Sequence, residues 1–185
     1  MLGCLSAQAQ TITETFGSGA NQFSIDFVQI GNPGNAANNG GFGSVPYTYN
    51  LGIYEISRDQ VQKADAAGGL GISLYNMNYY GSAANGPNGP ATGISWNEAA
   101  RFVNWLNSNQ GHQVAYNFTS SSANSNITVW GEGQYTGSNQ FRHKDAYYFL
   151  PSRDEWYKAA YYDPNLTVYP GYWIIPPAAT VRQIQ

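Results

Sequence analysis

Few residues in this sequence of 185 amino acids have side chains suited to metal or redox chemistry. The single cysteine is Cys4, and the two histidines are His112 and His143. A disulfide needs two cysteines and a structural zinc site needs several Cys or His ligands, so residue types alone identify no disulfide, no metal site and no cofactor. His143 could pair with Asp145 for proton transfer, but a solvated or hydrogen-bonded histidine is the favoured interpretation.

Two glutamates, Glu98 and Glu155, form a candidate carboxylate pair for general acid–base catalysis. Each of them, however, follows a serine by three residues, which is the capping-box pattern at the start of a helix. In a capping box, the serine side chain and the side chain three residues later each accept a hydrogen bond from the other residue's backbone N–H. Because capping accounts for both glutamates, we predict no catalytic residue. The predicted caps are Ser57 with Gln60, Ser95 with Glu98, and Ser152 with Glu155.

These capping boxes predict three helices. The first is stopped by Gly68-Gly69, because glycine readily adopts the left-handed conformation that ends a helix. The second carries apolar residues close to the i, i+3, i+4, i+7 spacing of an amphipathic helix, and the third ends before Pro164. We place three tryptophans on the inward faces of the second and third helices: Trp96, Trp105 and Trp156.

Alternating apolar residues predict a strand at Phe23–Ile30 and a second strand, within residues 47–55, that pairs with it. Shorter strand-like pieces occur at 114–118 and 127–130. Together these elements predict one loop-rich α+β domain with two to three short helices and a small antiparallel sheet. Its predicted organisation is a leader remnant at 1–9, an N-terminal arm at 10–22, the domain at 23–164 and an irregular C-terminal segment at 165–185.

Composition excludes two functional classes and suggests a location. Charged residues make up 10% of the sequence, and its 8 Lys and Arg residues are too few to line a nucleic-acid backbone. No segment approaches the ~20 apolar residues that a membrane-spanning helix needs. Ala7-Gln8-Ala9 has the small-x-small form of a signal-peptidase site, so we expect a secreted or cell-surface protein.

Four segments in order resemble a known family. They are similar to segments of the formylglycine-generating sulfatase enzymes, also called sulfatase-modifying-factor domains: FSIDFVQIGNPGN, LGIYEISRDQV, PATGISWNEAARFVNWLN and RHKDAYYFLPSRDEWYKAAYYDP. The resemblance implies a variant of the C-type lectin fold, and the GNPGN and YYDP segments most resemble a secreted bacterial branch. In the oxidases of this family, two late cysteines bind copper and relay the oxidation of a substrate cysteine to formylglycine.

The sequence departs from this family where the family performs its chemistry. It has no late cysteine and no G-N-V-W-E-W segment, which contributes calcium ligands in the family. We therefore expect the resemblance to cover the N-terminal half to two-thirds of the family domain. No catalytic or metal residue can be transferred, and calcium is suggested by the resemblance alone.

These observations favour a non-catalytic, exported, lectin-like domain that serves as a binding or structural protein. Its expected partners are further copies of itself, in an oligomer or a filament, or a cell-surface protein or glycan. Trp130 and Trp173, in loop-like surroundings, are the predicted contact residues. The alternative is that the chain is the N-terminal part of a formylglycine-generating oxidase that acts on sulfatase cysteines. A carbohydrate-binding module in the manner of true C-type lectins is a third, weaker hypothesis, because the expected calcium motif is not found.

Overall fold

The computed structural model describes residues 11–73, 86–120, 126–167 and 171–174. In this part of the chain, three α-helices and two small sheets form a mixed α+β structure, which confirms the predicted fold class. The relation to the C-type lectin fold stays a prediction. The elements, in chain order, are β1 (Thr11–Phe16), β2 (Phe23–Ile30), β3 (Tyr49–Gly52), α1 (Arg58–Gly68), α2 (Trp96–Asn109), β4 (Asn117–Phe118), β5 (Ile127–Thr128) and α3 (Arg153–Tyr161).

Strands β1, β2 and β3 form a three-stranded sheet in that order. The predicted strand at Phe23–Ile30 is confirmed as β2, which pairs antiparallel with β3 and places Ile30 opposite Tyr49. Strand β3 is shorter than the segment predicted for it. Strand β1 occupies part of the segment that was predicted to be an arm, and its sequence TITETF buries only Phe16, so apolar alternation gave no signal for it.

The described residues fall into two compact units. Unit 1 contains residues 11–14, 25–55, 151–167 and 171–174, and therefore includes β3 and α3. Unit 2 contains residues 15–24, 56–73, 86–120 and 126–150, and therefore includes α1, α2, β4 and β5.

The core of unit 2 combines aromatic and aliphatic side chains. The Phe23 ring stacks on Phe102 and Trp105 at centroid distances of 6.3 and 5.8 Å, and Phe16 meets Tyr148 edge-on at 5.2 Å. Offset and edge-on arrangements of this kind suit the ring quadrupole. Helices α1 and α2 add aliphatic side chains to this core: Val61, Ala64, Ala100, Val103 and Leu106.

Asn107 of α2 attaches a non-helical segment to the helix. Its side chain is completely buried. Its Oδ1 accepts hydrogen bonds from the backbone N–H groups of Tyr147 and Tyr148 at 3.1 and 3.0 Å, and its Nδ2 donates to the carbonyls of Tyr148 and Val103 at 2.8 and 3.1 Å. The amide thus satisfies backbone groups that would otherwise need a neighbouring strand.

Two asparagine amides organise the Gly- and Asn-rich loop after β2 in unit 1. The Nδ2 of Asn35 donates to the Gly43 carbonyl at 2.7 Å, and its Oδ1 accepts from the Val45 backbone at 3.2 Å. The Oδ1 of Asn38 accepts from the Phe42 backbone at 2.9 Å. Side-chain bonds to nearby backbone of this kind fix loop conformations that lack a sheet ladder.

Candidate functional site

The two candidate catalytic glutamates lie in different units, and each forms a complete capping box. The Oε2 of Glu98 accepts from the Ser95 backbone and hydroxyl at 2.8 and 2.7 Å, and its Oε1 accepts from the Ser73 backbone at 2.7 Å. Burial opposes ionisation, but these hydrogen bonds and the charge of Arg101 outweigh burial and hold the pKa of the Glu98 carboxyl below its usual value. This carboxylate is therefore committed to structure.

Glu155 is even more enclosed, with 1% of its surface exposed. Its Oε2 accepts from the Ser152 backbone at 2.6 Å, and its Oε1 accepts from the Tyr47 hydroxyl at 2.5 Å. The Tyr49 hydroxyl donates to the Glu155 carbonyl. The third capping pair, Ser57 with Gln60, also makes both of its hydrogen bonds at the start of α1.

His143 is buried, and its hydrogen bonds differ from those of a carboxylate-assisted base. Its Nδ1 accepts from the backbone N–H of Asp145 at 3.2 Å and lies 4.0 Å from the Asp145 carboxylate. That carboxylate accepts from the Lys144 ammonium at 3.0 Å. Because a backbone donor occupies Nδ1, Asp145 does not hold an Nδ1–H proton as the acid of a catalytic triad does.

Trp130, one of the two predicted contact residues, is half-buried in unit 2. Its indole N–H donates to the Ala115 carbonyl at 3.0 Å, and its ring meets His143 edge-on at 4.7 Å. Its polar atom is therefore used within the fold, and Trp130 anchors the segment that follows β5.

Helix α3 is inverted with respect to the usual amphipathic pattern. Glu155 and Lys158 are each 1% exposed, whereas Trp156, between them in sequence, is 44% exposed. The Lys158 ammonium donates to the Asn32 carbonyl at 2.9 Å, and burial lowers the pKa of Lys158. The prediction that Trp156 points inward is wrong, because the capping glutamate and the buried lysine occupy the inward face.

The other two helical tryptophans have different outcomes. Trp96, the first residue of α2, is 49% exposed and contacts the Tyr116 ring edge-on, so its inward placement is wrong as well. Trp105 is half-buried and stacks on Phe23. Residues in the first turn of a helix have no preceding turn to pack against, which leaves Trp96 open to solvent.

Trp173, the second predicted contact residue, lies beside the end of α3 in unit 1. Its backbone N–H donates to the Tyr161 carbonyl at 3.0 Å, and the Asp163 N–H donates to the Gly171 carbonyl at 2.8 Å. These two hydrogen bonds flank an antiparallel bridge between Tyr162 and Tyr172. The Trp173 side chain is 38% exposed.

Tyr172 fixes this short pair of segments to the body of unit 1. Its side chain is 2% exposed, and its hydroxyl accepts from Asn35 Nδ2 at 2.6 Å and donates to the Gly43 carbonyl at 2.7 Å. Burial raises the pKa of the Tyr172 hydroxyl to about 12. Nothing in the irregular C-terminal sequence distinguished Tyr172 from the other tyrosines, so sequence reasoning missed it.

Three neighbouring aromatic residues of unit 1 form what we call the aromatic surface: Trp156, Tyr161 and Trp173. The Trp156 ring meets the Tyr161 ring edge-on at 6.0 Å, and Trp173 is bonded to Tyr161 through the backbone. Ile174, next to Trp173, is 72% exposed. Large exposed apolar groups in one region are the usual mark of a contact surface.

The aromatic surface belongs to a small α+β domain with capped helices. The family model for the sulfatase-modifying factor enzyme 1-like domain matches residues 44–171, which is most of the sequence. The chain belongs to this family, and the resemblance found from its motifs is confirmed. No curated protein and no solved structure matches it.

The metals suggested by the family resemblance find no matching residues here. A copper centre of the oxidase type needs two cysteines, and the sequence has one. In the described ranges, no group of three or more His, Cys, Asp or Glu side chains is placed to hold a metal ion. Those same ranges contain no helix with the length and hydrophobicity needed to cross a bilayer.

Proposed function

We propose that this chain is a non-catalytic, exported member of its family that binds a partner through the aromatic surface. A structural form of this role, in which copies associate at a cell surface or in an extracellular filament, is included in the proposal. The observation that carries it is the orientation of α3, which buries Glu155 and Lys158 and leaves Trp156 exposed.

The energetics of α3 explain why this orientation calls for a functional reason. Burying a large apolar side chain stabilises a fold by about 1.5–3 kcal/mol, whereas burying a lysine needs compensation for its lost hydration. Here the Lys158 ammonium is compensated by the Asn32 carbonyl and by the faces of Tyr49 and Tyr162, at 6.0 and 5.9 Å. Helix α3 therefore buries a lysine that needs polar partners and exposes a tryptophan that could have been buried. This arrangement supports a role of Trp156 in contacting a partner.

The acidic side chains also support a non-catalytic role. Glu98 and Glu155 are engaged by backbone donors at helix starts, so neither carboxylate is positioned to exchange protons with a substrate. The leader-like residues 1–9 support export.

The family match favours one alternative, in which the chain forms part of an oxidase that converts sulfatase cysteines to formylglycine. The two functions predict opposite results in an aldehyde assay of the polypeptide as its source produces it, because an oxidase of this family would carry its two cysteines outside these 185 residues. That polypeptide is incubated with copper, oxygen, a thiol reductant and a cysteine-containing peptide of the sulfatase type, and aldehyde is detected by hydrazide labelling and mass spectrometry.

We expect no aldehyde above the level of peptide and copper alone. Time-dependent aldehyde formation that scales with the amount of chain would contradict the proposal and favour the oxidase. A matched Cys4→Ser variant separates turnover at the chain's own thiol from background oxidation by copper, because it removes the single cysteine of the sequence.

A further inference from the structure

We infer that the aromatic surface takes an uncharged oligosaccharide as its ligand. This inference rests on the proposed binding function and names the chemical class of the partner. It is carried by the Tyr161 and Trp173 rings and the Asp163 carboxylate on the paired segments 161–163 and 171–173 of unit 1, with the Trp156 ring of α3 edge-on to Tyr161.

The backbone pairing assigns the side chains of these segments to two faces. In extended segments, successive side chains point to opposite faces. Tyr162 and Tyr172 form the bridge pair, and their rings contact each other at 5.1 Å on the face where Tyr172 is buried. Trp173 and Asp163, one residue further along each segment, therefore belong to the opposite, outward face.

Residues that adjoin the aromatic surface are ordered by packing and hydrogen bonds. Tyr161 stacks on Tyr157 at 4.6 Å, and the Tyr157 hydroxyl accepts a hydrogen bond from Asn38 at 2.7 Å. On the other side, Trp173 follows Tyr172, whose hydroxyl is fixed by Asn35. Rings that are already ordered lose little conformational entropy on binding, so weak stacking contacts can yield net affinity.

The chemistry of this face matches a sugar ring. The negative face of an aromatic ring attracts the slightly positive C–H groups on one side of a hexose. The oxygens of the Asp163 carboxylate accept hydrogen bonds, and sugar hydroxyls can donate them. Its Oδ1 accepts from the Asn165 backbone at 2.9 Å, which restricts the orientation of the carboxylate.

Charge favours a neutral ligand over an anionic one. The net charge of the sequence is −3, and the charged group on the outward face of the paired segments is the acidic Asp163. The exposed Arg153 at the start of α3 packs its guanidinium over Phe42 at 4.0 Å. An acidic polysaccharide would therefore meet the Asp163 carboxylate on this face, and the repulsion between like charges costs binding free energy.

The test measures binding of four defined neutral probes to the full chain by isothermal titration calorimetry: cellohexaose, maltohexaose, mannohexaose and N-acetylated chitohexaose. We expect saturable binding of at least one probe. In Trp156→Ala and Trp173→Ala variants its Kd should rise at least tenfold, and in Asp163→Asn it should rise severalfold. Trp96→Ala, which removes an equally exposed tryptophan from unit 2, should leave the Kd unchanged.

The remaining outcomes separate this inference from the proposed function. The inference that the ligand is an oligosaccharide would be overturned if no probe shows saturable binding. It would also be overturned if binding survives both tryptophan substitutions. If sedimentation then shows concentration-dependent association that is weakened by Trp156→Ala and by Ile174→Ser, the partner is a second copy and the binding function stands. If the aldehyde assay is positive instead, the binding function itself fails.

Discussion

Replacing Asn107 by alanine should destabilise unit 2 more than any other single amide truncation on α2. The side chain is completely buried and makes four hydrogen bonds, three of them to backbone groups of Tyr147 and Tyr148. Asn107→Ala leaves those three backbone groups without the partner that the Asn107 amide provides. Each buried unsatisfied group costs about 1–3 kcal/mol, and partial relaxation brings the expected total to about 3–6 kcal/mol. Most domains have only about 5–15 kcal/mol of stability.

The assay combines urea unfolding, followed by circular dichroism, with amide hydrogen exchange of peptides that contain residues 146–150. Asn109→Ala is the matched control on the same helix, because the exposed Asn109 amide accepts a single bond, from the Gly17 backbone at 3.0 Å. We expect the control to lose no more than about 1 kcal/mol and to keep the protection of residues 147 and 148. An Asn107→Ala variant within about 1 kcal/mol of this control, with unchanged exchange at those amides, would refute the reasoning.

Three further predictions concern unit 1 and the ends of the pH range. Gly43→Ala should lower the unfolding temperature by several degrees, because φ at this position is +86° and an added Cβ would lie 2.6 Å from the Tyr172 hydroxyl. Thermal unfolding measures this effect, and an unchanged midpoint would contradict the placement of Tyr172. Burial raises the pKa values of the Tyr49 and Tyr172 hydroxyls, so between pH 10 and 12 these hydroxyls ionise mainly in the unfolded chain. The free energy of unfolding should therefore fall by up to about 1.4 kcal/mol per pH unit for each tyrosine. Urea midpoints of a Tyr172→Phe variant should decline less steeply over this pH range. The pKa of Glu98 is lowered in the fold, so its stabilising contribution should be complete above the ordinary glutamate pKa. This contribution should be lost as the pH falls from the ordinary pKa through the lowered one. Urea midpoints of Glu98→Gln should therefore vary less between pH 5 and 3 than those of the unaltered chain.

Local sequence signals predicted the helices well. Each capping box fixes a helix start through bonds within four residues, so Ser57, Ser95 and Ser152 could be identified without knowledge of the fold. Strand β2 was equally clear because its apolar residues alternate. Strand β1 could not be found in this way, since its stability comes from pairing with β2 and from the single buried ring of Phe16.

The candidate site was harder to predict because its determinants are distant in sequence. The outward orientation of Trp156 follows from a carbonyl at Asn32, more than a hundred residues earlier, which accepts from Lys158. Trp130 and Trp173 looked alike in sequence. The Trp130 indole N–H donates a hydrogen bond to the Ala115 carbonyl, whereas Trp173 is exposed and follows the buried Tyr172. Hydrogen bonds between residues that are far apart in sequence leave no periodic pattern that sequence analysis could detect.

The most direct test of the account compares the stability of two alanine variants of unit 1. If α3 exposes Trp156 for contact, Trp156→Ala should change the free energy of unfolding by less than about 1 kcal/mol, as expected for a surface substitution. Tyr172→Ala, which removes a buried ring, should cost about 3–5 kcal/mol in the same urea titrations. A loss of about 3–5 kcal/mol in Trp156→Ala would show that this ring belongs to the core, and it would contradict both the inverted helix and the binding function built on it.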